Sequence, residues 1–366
     1  MTQWAWQQKG WPHFQYRSDL LIELERQFLK NSGYLLGVYQ HISAAEQDQL
    51  IIDLVSEEAV QTSAIEGEFL DRASVQASLR RNFGLSMDDK GSPPSEQGIA
   101  YMMVDLYKNF AAPLDSNILC NWNLNLLGAR FDLYSVGAYR NHVDPMQIIS
   151  GAGNNLKVHY EAPPSHMIAQ EMNEYMNWFN NSLNLPVLIR AGIAHVYFEM
   201  IHPFEDGNGR IGRAIVEKAI SQSLKQPLLL AISKTIQKDK KQYYAALASV
   251  NTSLDITVWL EYFAGVLIAA QDYTRSYLEF LVEKIKIYDR VKDQLNLRQA
   301  KVMGRLFKEG VDGFTGGLSA DKYITITKTS RATATRDLQD LVAKQVLYST
   351  GERKSTRYFV NINKPQ

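Results

Sequence analysis

A single cysteine, Cys120, among 366 residues excludes an internal disulfide framework and any cysteine-based zinc site. No stretch approaches the roughly 18 uninterrupted apolar residues that a membrane-crossing helix needs. Charge of neither sign prevails: 39 Lys+Arg stand against 39 Asp+Glu, so the whole chain is not a nucleic-acid polycation. There is no GxxxxGK(S/T) P-loop, no internal repeat and no low-complexity tract. The opening MTQWAWQQKGWPHFQY has neither the basic start nor the apolar run of a signal peptide, so a cytoplasmic, membrane-free protein is expected. What is present is an ordinary globular composition, 45% hydrophobic and 21% charged, long enough for two or three domains.

One stretch carries chemistry: IHPFEDGNGRIGR, Ile201 to Arg213. Val187 to Met200 before it is apolar without a breaker, the pattern of a buried helix, and the His202-Pro203 pair ends it because a residue before proline is pushed out of the helical region. Ile211 to Leu224 reads as a second helix that opens at Gly207-Asn208-Gly209. Unpaired N–H groups, a partial positive charge and glycine's freedom make that opening a phosphate cradle. Arg210 and Arg213 lie on one face of its first turn, where guanidinium forks match phosphate oxygens. Asp206 stands beside the cradle, as a carboxylate holding Mg2+ against phosphates would. His202 can be neutral near pH 7 and so serve as a general base. Together these read as transfer chemistry on a nucleoside triphosphate. Gly207, Gly209 and Gly212 also match GxGxxG, but a helix and a turn precede them instead of a strand, and Ile232 stands where a dinucleotide site needs an acid.

His202 to Arg210, continued to Arg213, resembles the Fic signature HPFx(D/E)GNGRxxR at every fixed position. The resemblance implies a mainly α chain with a helical Fic fold and a protein adenylyltransferase, moving AMP from ATP to a hydroxyl of a target protein. His202 would deprotonate a Ser, Thr or Tyr hydroxyl, Phe204 would anchor the loop, and Asp206 would hold Mg2+. Pro203, Glu205, Gly207, Asn208 and Gly209 would complete the nucleotide-binding loop, with Arg210 and Arg213 at the β/γ end of ATP. Use of another nucleotide, or removal of AMP, is open to the same site.

Thr62-Ser63-Ala64-Ile65-Glu66-Gly67 closes a helical pattern that begins at Ser43, and it resembles the family's inhibitory motif (S/T)xxxE(G/N). By that resemblance Glu66 would pair with Arg213, displace the γ-phosphate and keep the enzyme off at rest. Gln147 to Ser150 and Leu156 to Tyr160 form strand-like runs around turn residues. In the family a hairpin here, residues 147–160, is the flap that registers the target, so Lys157, Val158, His159 and Tyr160 would offer it an edge. Tyr243 and Tyr244 read as core or pocket wall, and the resemblance puts an aromatic near the adenine. His195 reads as structural, and Trp4, Trp6, Trp11, Phe14 and Tyr16 as a segment packed on the body of the protein.

Charge is uneven along the chain: residues 291–366 carry a net +7, leaving −7 on the rest. After a charged connector helix from Glu279 to Gln294, three helical patterns and two strands, Val346 to Ser349 and Arg357 to Ile362, resemble a winged helix. Arg331 and Arg336 would lie on its recognition helix and Arg353 and Lys354 in its wing, a set suited to DNA. The expected organisation is thus residues 1–95 with the inhibitory helix 43–67, a catalytic core over 96–278, and the connector and winged helix over 279–366. The expected partners are ATP, Mg2+ and a target protein; whether the winged helix takes DNA or serves as a protein-docking module is left open, as is a homodimer.

Overall fold

The computed structural model describes residues 3–86, 91–150, 157–308 and 316–362. It divides into two compact units, Met1–Thr274 and Arg275–Gln366, and is mainly helical with small two-stranded hairpins.

In the first unit the helices run α1 Ile22–His41, α2 Ala44–Ile65, α3 Arg72–Phe83, α4 Pro94–Lys108, α5 Ser116–Leu127, α6 Ile168–Asn181, α7 Val187–Ile201, α8 Asn208–Leu224, α9 Ile232–Lys238 and α10 Lys240–Ser249. The centre is α7, apolar all round and buried at every residue except Glu199, as a helix without a polar face must be. Its packing is fixed by buried polar groups that find partners. Arg190 donates to the carbonyls of Phe179 (3.1 Å) and Ala219 (2.6 Å) and to Gln222 Oε1 (2.7 Å). The Tyr175 hydroxyl donates to Ala194 O (2.9 Å) and Trp259 Nε1 to Gly192 O (2.9 Å).

α1 extends past Lys30, where the sequence pattern ends, to His41. Gly33 and Gly37 cost about 1 kcal/mol each inside a helix, but Phe28, Ser32 and Leu35 are buried and Gln271 donates to Phe28 O (2.9 Å) and Ser32 Oγ (2.8 Å). Tertiary packing overrides propensity there. α9, which has no signal in the sequence, is a seven-residue helix whose Ser233 N–H is capped by the buried Glu58 carboxylate (2.8 Å).

The aromatic N-terminal segment packs as expected. Trp11 and Phe14 meet Tyr197 edge-on at 5.2 and 5.5 Å, and Trp4 meets Tyr160 at 5.5 Å. Trp6 Nε1 donates to Glu161 O (2.7 Å). That ties the segment to the hairpin of β1 Gln147–Ser150 and β2 Lys157–Glu161, which pair antiparallel with an irregularity between Ile148 and Ile149. Residues 151–156 of the expected hairpin lie outside the described residues.

The expected connector from Glu279 is the second half of one helix, α11 Thr257–Val291, whose residues fall in both units. The second unit continues with α12 Leu297–Lys308, α13 Ala320–Thr327, α14 Arg331–Ala343 and the antiparallel pair β3 Leu347–Thr350 and β4 Arg357–Val360. Ser330 caps α14, accepting from Thr333 N. Asp337 braces the three helices by accepting from Arg298 Nε (2.7 Å), Asn296 Nδ2 (3.0 Å) and Tyr323 OH (2.8 Å). Among the residues read as DNA contacts, Arg331 is engaged by Asp321 of α13, Arg336 and Arg353 are exposed, and the Lys354 side chain lies outside the described residues. No helix among the described residues is long and apolar enough to cross a membrane.

Candidate active site

α7 ends at His202, which takes a left-handed conformation, φ 51° and ψ 60°. A non-glycine residue pays roughly 1–2 kcal/mol for that geometry, so something must hold it. The holder is Arg140, a buried residue that no local pattern marks. Its guanidinium donates to His202 O (2.8 Å), Ile201 O (3.3 Å) and Pro163 O (2.5 Å), and its N–H donates to Pro203 O (2.9 Å).

The loop after it is closed from within. Phe204 is fully buried against Tyr139 and Phe198. The Asn208 side chain turns back on that residue, accepting from Phe204 N (2.9 Å) and donating to Phe204 O (2.7 Å). Its amide thus staples the loop and leaves only its backbone for an anion. Glu205 is likewise directed away from any phosphate: its carboxylate accepts from Tyr134 N (3.0 Å) and Ser135 N (2.9 Å). Gly207, at φ 87°, supplies the left-handed turn into α8, and a Cβ there would crowd Leu127 and Asn123.

α8 then opens with its N–H groups beside Gly209. The Glu66 carboxylate lies against the Gly209 Cα, so that a Cβ at Gly209 would overlap it. Its Oε1 pairs with Arg213 Nη2 at 2.7 Å. Arg213 is 1% exposed and also donates to Thr62 Oγ1 (2.7 Å) and Thr62 O (3.0 Å). The two ends of the expected motif, Thr62 and Glu66, therefore hold one guanidinium between them. Arg210 is held in the same way by Glu68, Nη1 to Oε2 at 2.7 Å. Glu68 escaped the sequence reading. The signal available was Gly67, whose φ of 86° caps α2 and reverses the chain.

A cavity of about 610 Å³ joins these parts, lined by Glu66, Glu199, His202, Gly209, Arg213, Tyr243 and Tyr244 and, from the hairpin, by Ile148, His159 and Tyr160. Burial pushes the His202 imidazole down to about 4, with the Arg140 charge acting in the same direction. The ring is neutral at pH 7. His195 is fully buried and donates to or accepts from the Tyr243 hydroxyl at 2.7 Å, which makes Tyr243 a packed wall residue and leaves Tyr244, 42% exposed, as the more accessible ring. In the hairpin, Lys157 and Val158 are exposed, whereas the Tyr160 side chain is an anchor, buried and donating to Met200 O (2.5 Å). The carbonyls of His159 and Glu161 already accept from Asn251 Nδ2 and Trp6 Nε1. The strand edge is narrower than the sequence suggested.

Asp206 stands immediately before the cradle in the chain, 34% exposed at the side chain, with Arg130 at 3.3 Å and Arg210 at 3.5 Å. Among the described residues no three His, Cys, Asp or Glu side chains cluster as a metal site. A lone carboxylate fits Mg2+, which takes most of its ligands from phosphate and water, and does not fit a protein-caged metal.

The fold and the site define a helical protein built around a histidine turn and a helix-end anion cradle. Residues 113–220 match the Fic/DOC family. Residues 4–85 match a domain of unknown function, DUF4172. A probable protein adenylyltransferase of Aquifex aeolicus is 33% identical over 64 residues, 18% of this chain and 20% of the relative. Protein adenylyltransferase fic-1 of Caenorhabditis elegans is 28% identical over 99 residues, 26% of this chain and 18% of the relative. The chain thus spans about a fifth of the length of these curated relatives. A Fic family protein from Desulfovibrio desulfuricans superposes with a TM-score of 0.51 at 22% identity, covering 94% of this chain and 97% of the other. A Fic domain containing signaling protein from Bacteroides thetaiotaomicron gives 0.51 at 19% identity over 69% and 96%.

Proposed function

We propose that the chain is a self-restrained, Mg2+-dependent protein adenylyltransferase that transfers AMP from ATP to a Ser, Thr or Tyr hydroxyl of a target protein. The observation that supports this best is the convergence of a neutral His202, the N-terminus of α8 and Arg213 on one cavity, with Glu66 seated in the anion cradle.

In the transfer, the target hydroxyl oxygen bonds to the α-phosphorus as the bond from that phosphorus to the bridging oxygen of pyrophosphate breaks. The hydroxyl proton goes to the His202 ring, and pyrophosphate carries away the electron pair. The backbone N–H groups of α8 and the two guanidinium groups hold the charge that develops on the phosphates, which is where most of such a rate comes from. Bound at Asp206, Mg2+ would supply further neutralisation of phosphate oxygens. The exposed Lys157 and Val158 of β2 lie on the hairpin that borders the cavity, where an extended target segment would be registered.

Restraint follows from the same geometry. A triphosphate competes with Glu66 for Arg213 and with Glu68 for Arg210, so both carboxylates must withdraw before ATP binds productively. The test is intact mass spectrometry of the protein with Mg2+ and ATP, alone and with cell lysate, comparing wild type, Glu66→Gly and His202→Ala. Addition of one AMP is expected to be large in Glu66→Gly, small in wild type and absent in His202→Ala. Failure of Glu66→Gly to adenylylate itself or any lysate protein would overturn the reading.

A further inference from the structure

We propose that Glu199 is a positioning residue for the base, keeping the proton of the His202 imidazole on Nδ1 so that Nε2 is the nitrogen that accepts the proton of the attacking hydroxyl. This rests on the adenylyltransferase reading above and names a residue outside the Fic signature.

The geometry comes from the last turn of α7. Glu199 stands three residues before the left-handed His202, and the two side chains approach each other there. The His202 Nδ1 has two oxygen neighbours, both from Glu199: the backbone carbonyl at 3.4 Å and carboxyl Oε2 at 3.9 Å. The carbonyl contact is long for a hydrogen bond, and the left-handed turn at His202 lets the ring swing toward the carboxyl. Such catalytic bonds are often loose without substrate and tighten when it binds.

Glu199 is the one residue of α7 that is not fully buried, and it lines the cavity. Its other oxygen, Oε1, is buried with no hydrogen-bond partner among the described residues. A buried carboxyl with an unmet oxygen costs about 1–3 kcal/mol, so packing alone does not account for it.

The facing helix makes room for it. A Cβ on Gly212 would lie 2.6 Å from Glu199 Oε1 and 3.1 Å from two His195 ring atoms. Gly212 occupies a variable position of the signature, inside α8, where a glycine costs about 1 kcal/mol relative to alanine. Its presence is explained by the carboxyl opposite.

The chemistry gives Glu199 its task. When Nε2 takes the hydroxyl proton the ring becomes a cation, and Nδ1–H becomes a stronger donor that needs an acceptor within reach. The charged neighbours of the pair are Arg213, Arg140, Glu66 and Asp206. Burial raises the Glu199 carboxyl to about 8, Arg213 opposes that and Glu66 adds to it. Departure of Glu66 therefore moves Glu199 toward the carboxylate that an imidazolium favours.

The experiment places Glu199→Ala and Glu199→Gln in the full chain carrying Glu66→Gly, and reads kcat and KM for ATP beside the His202 tautomer from ring 15N shifts. Glu199→Ala is expected to lower kcat by about tenfold or more, the scale of losing an oriented base, with KM for ATP within twofold, and to mix the two tautomers. Glu199→Gln, which keeps an acceptor and the shape, is expected to retain the Nδ1–H tautomer and more of kcat. An unchanged tautomer in Glu199→Ala, or a raised KM with kcat preserved, would overturn the proposal. If the Glu66→Gly parent transfers no AMP, the adenylyltransferase reading falls, while the tautomer still decides what Glu199 does to His202.

Discussion

Replacing Glu66 by glycine should move stability and activity in opposite directions. The pair with Arg213 spans 2.7 Å, with Arg213 1% and Glu66 29% exposed at the side chain. Breaking a buried pair costs about 3–5 kcal/mol and an exposed one under about 1. With one partner partly solvated and the bonds from Arg213 to Thr62 intact, we work with about 2 kcal/mol. That loss lowers the melting temperature of the substrate-free protein by about 4–8 °C, at roughly 2–4 °C per kcal/mol for a unit of this size. The same 2 kcal/mol no longer has to be overcome by the γ-phosphate, so apparent ATP affinity rises by about 30-fold, at tenfold per 1.4 kcal/mol. Calorimetry gives the first quantity and titration with a non-hydrolysable ATP analogue the second. Glu66→Gln, which keeps the volume and loses the charge, should fall between. A variant that melts lower with unchanged ATP affinity would refute the reasoning, because the carboxylate would then be structural alone.

Three further outcomes follow. Glu68→Gln should weaken the hold on Arg210, which is 5% exposed at the side chain, and raise ATP affinity less than Glu66→Gly because Arg210 keeps Asp206 at 3.5 Å; additive effects in the double variant would mark two separate restraints. The rate of Glu66→Gly should hold from neutral pH down to about 5 and fall as pH passes through about 4, since burial lowers the His202 imidazole to about 4 and only the neutral ring accepts a proton; a fall centred at 6.5 in a kcat–pH profile would contradict this. Glu58 is raised to about 7 by burial, so the folded chain binds its proton more tightly than the unfolded one and stability is lost as pH rises from the ordinary carboxyl range through about 7; Glu58→Gln should remove that loss from melting curves taken from the ordinary carboxyl range up to about pH 7.

The signature loop was legible because its parts are neighbours in the chain. A proline fixes where α7 stops, glycines fix where α8 starts, and base, carboxylate and arginines fall between. Arg140 was not legible, since a clamp on carbonyls 61 and 62 residues away leaves no local pattern. Nor was Tyr160: alternation in KVHYE suggests a uniform edge, but the irregular register pairs Tyr160 with Ile148 and the ring turns inward onto Met200. Asn208 and Glu205 were legible in position, and their side-chain partners were not, because a signature shows which residues lie near an anion and not which of them spend their side chains closing the loop.

The two carboxylates and the two arginines they pair with lie in differently matched stretches, Glu66 and Glu68 in residues 4–85, Arg210 and Arg213 in residues 113–220. The first stretch is thereby given a physical task. α2 is buried along most of its length, which holds its C-terminus in place, and Gly67 turns the chain so that Glu66 and Glu68 reach the Arg213 and Arg210 guanidinium groups. A carboxylate held on a rigid helix end competes with phosphate at a high effective concentration, whereas the same residue on a free loop would pay an ordering cost each time it returned. On the proposed reading, release would depend on shifting the end of α2, and a partner that favours the shifted position would act as an activator without touching the nucleotide.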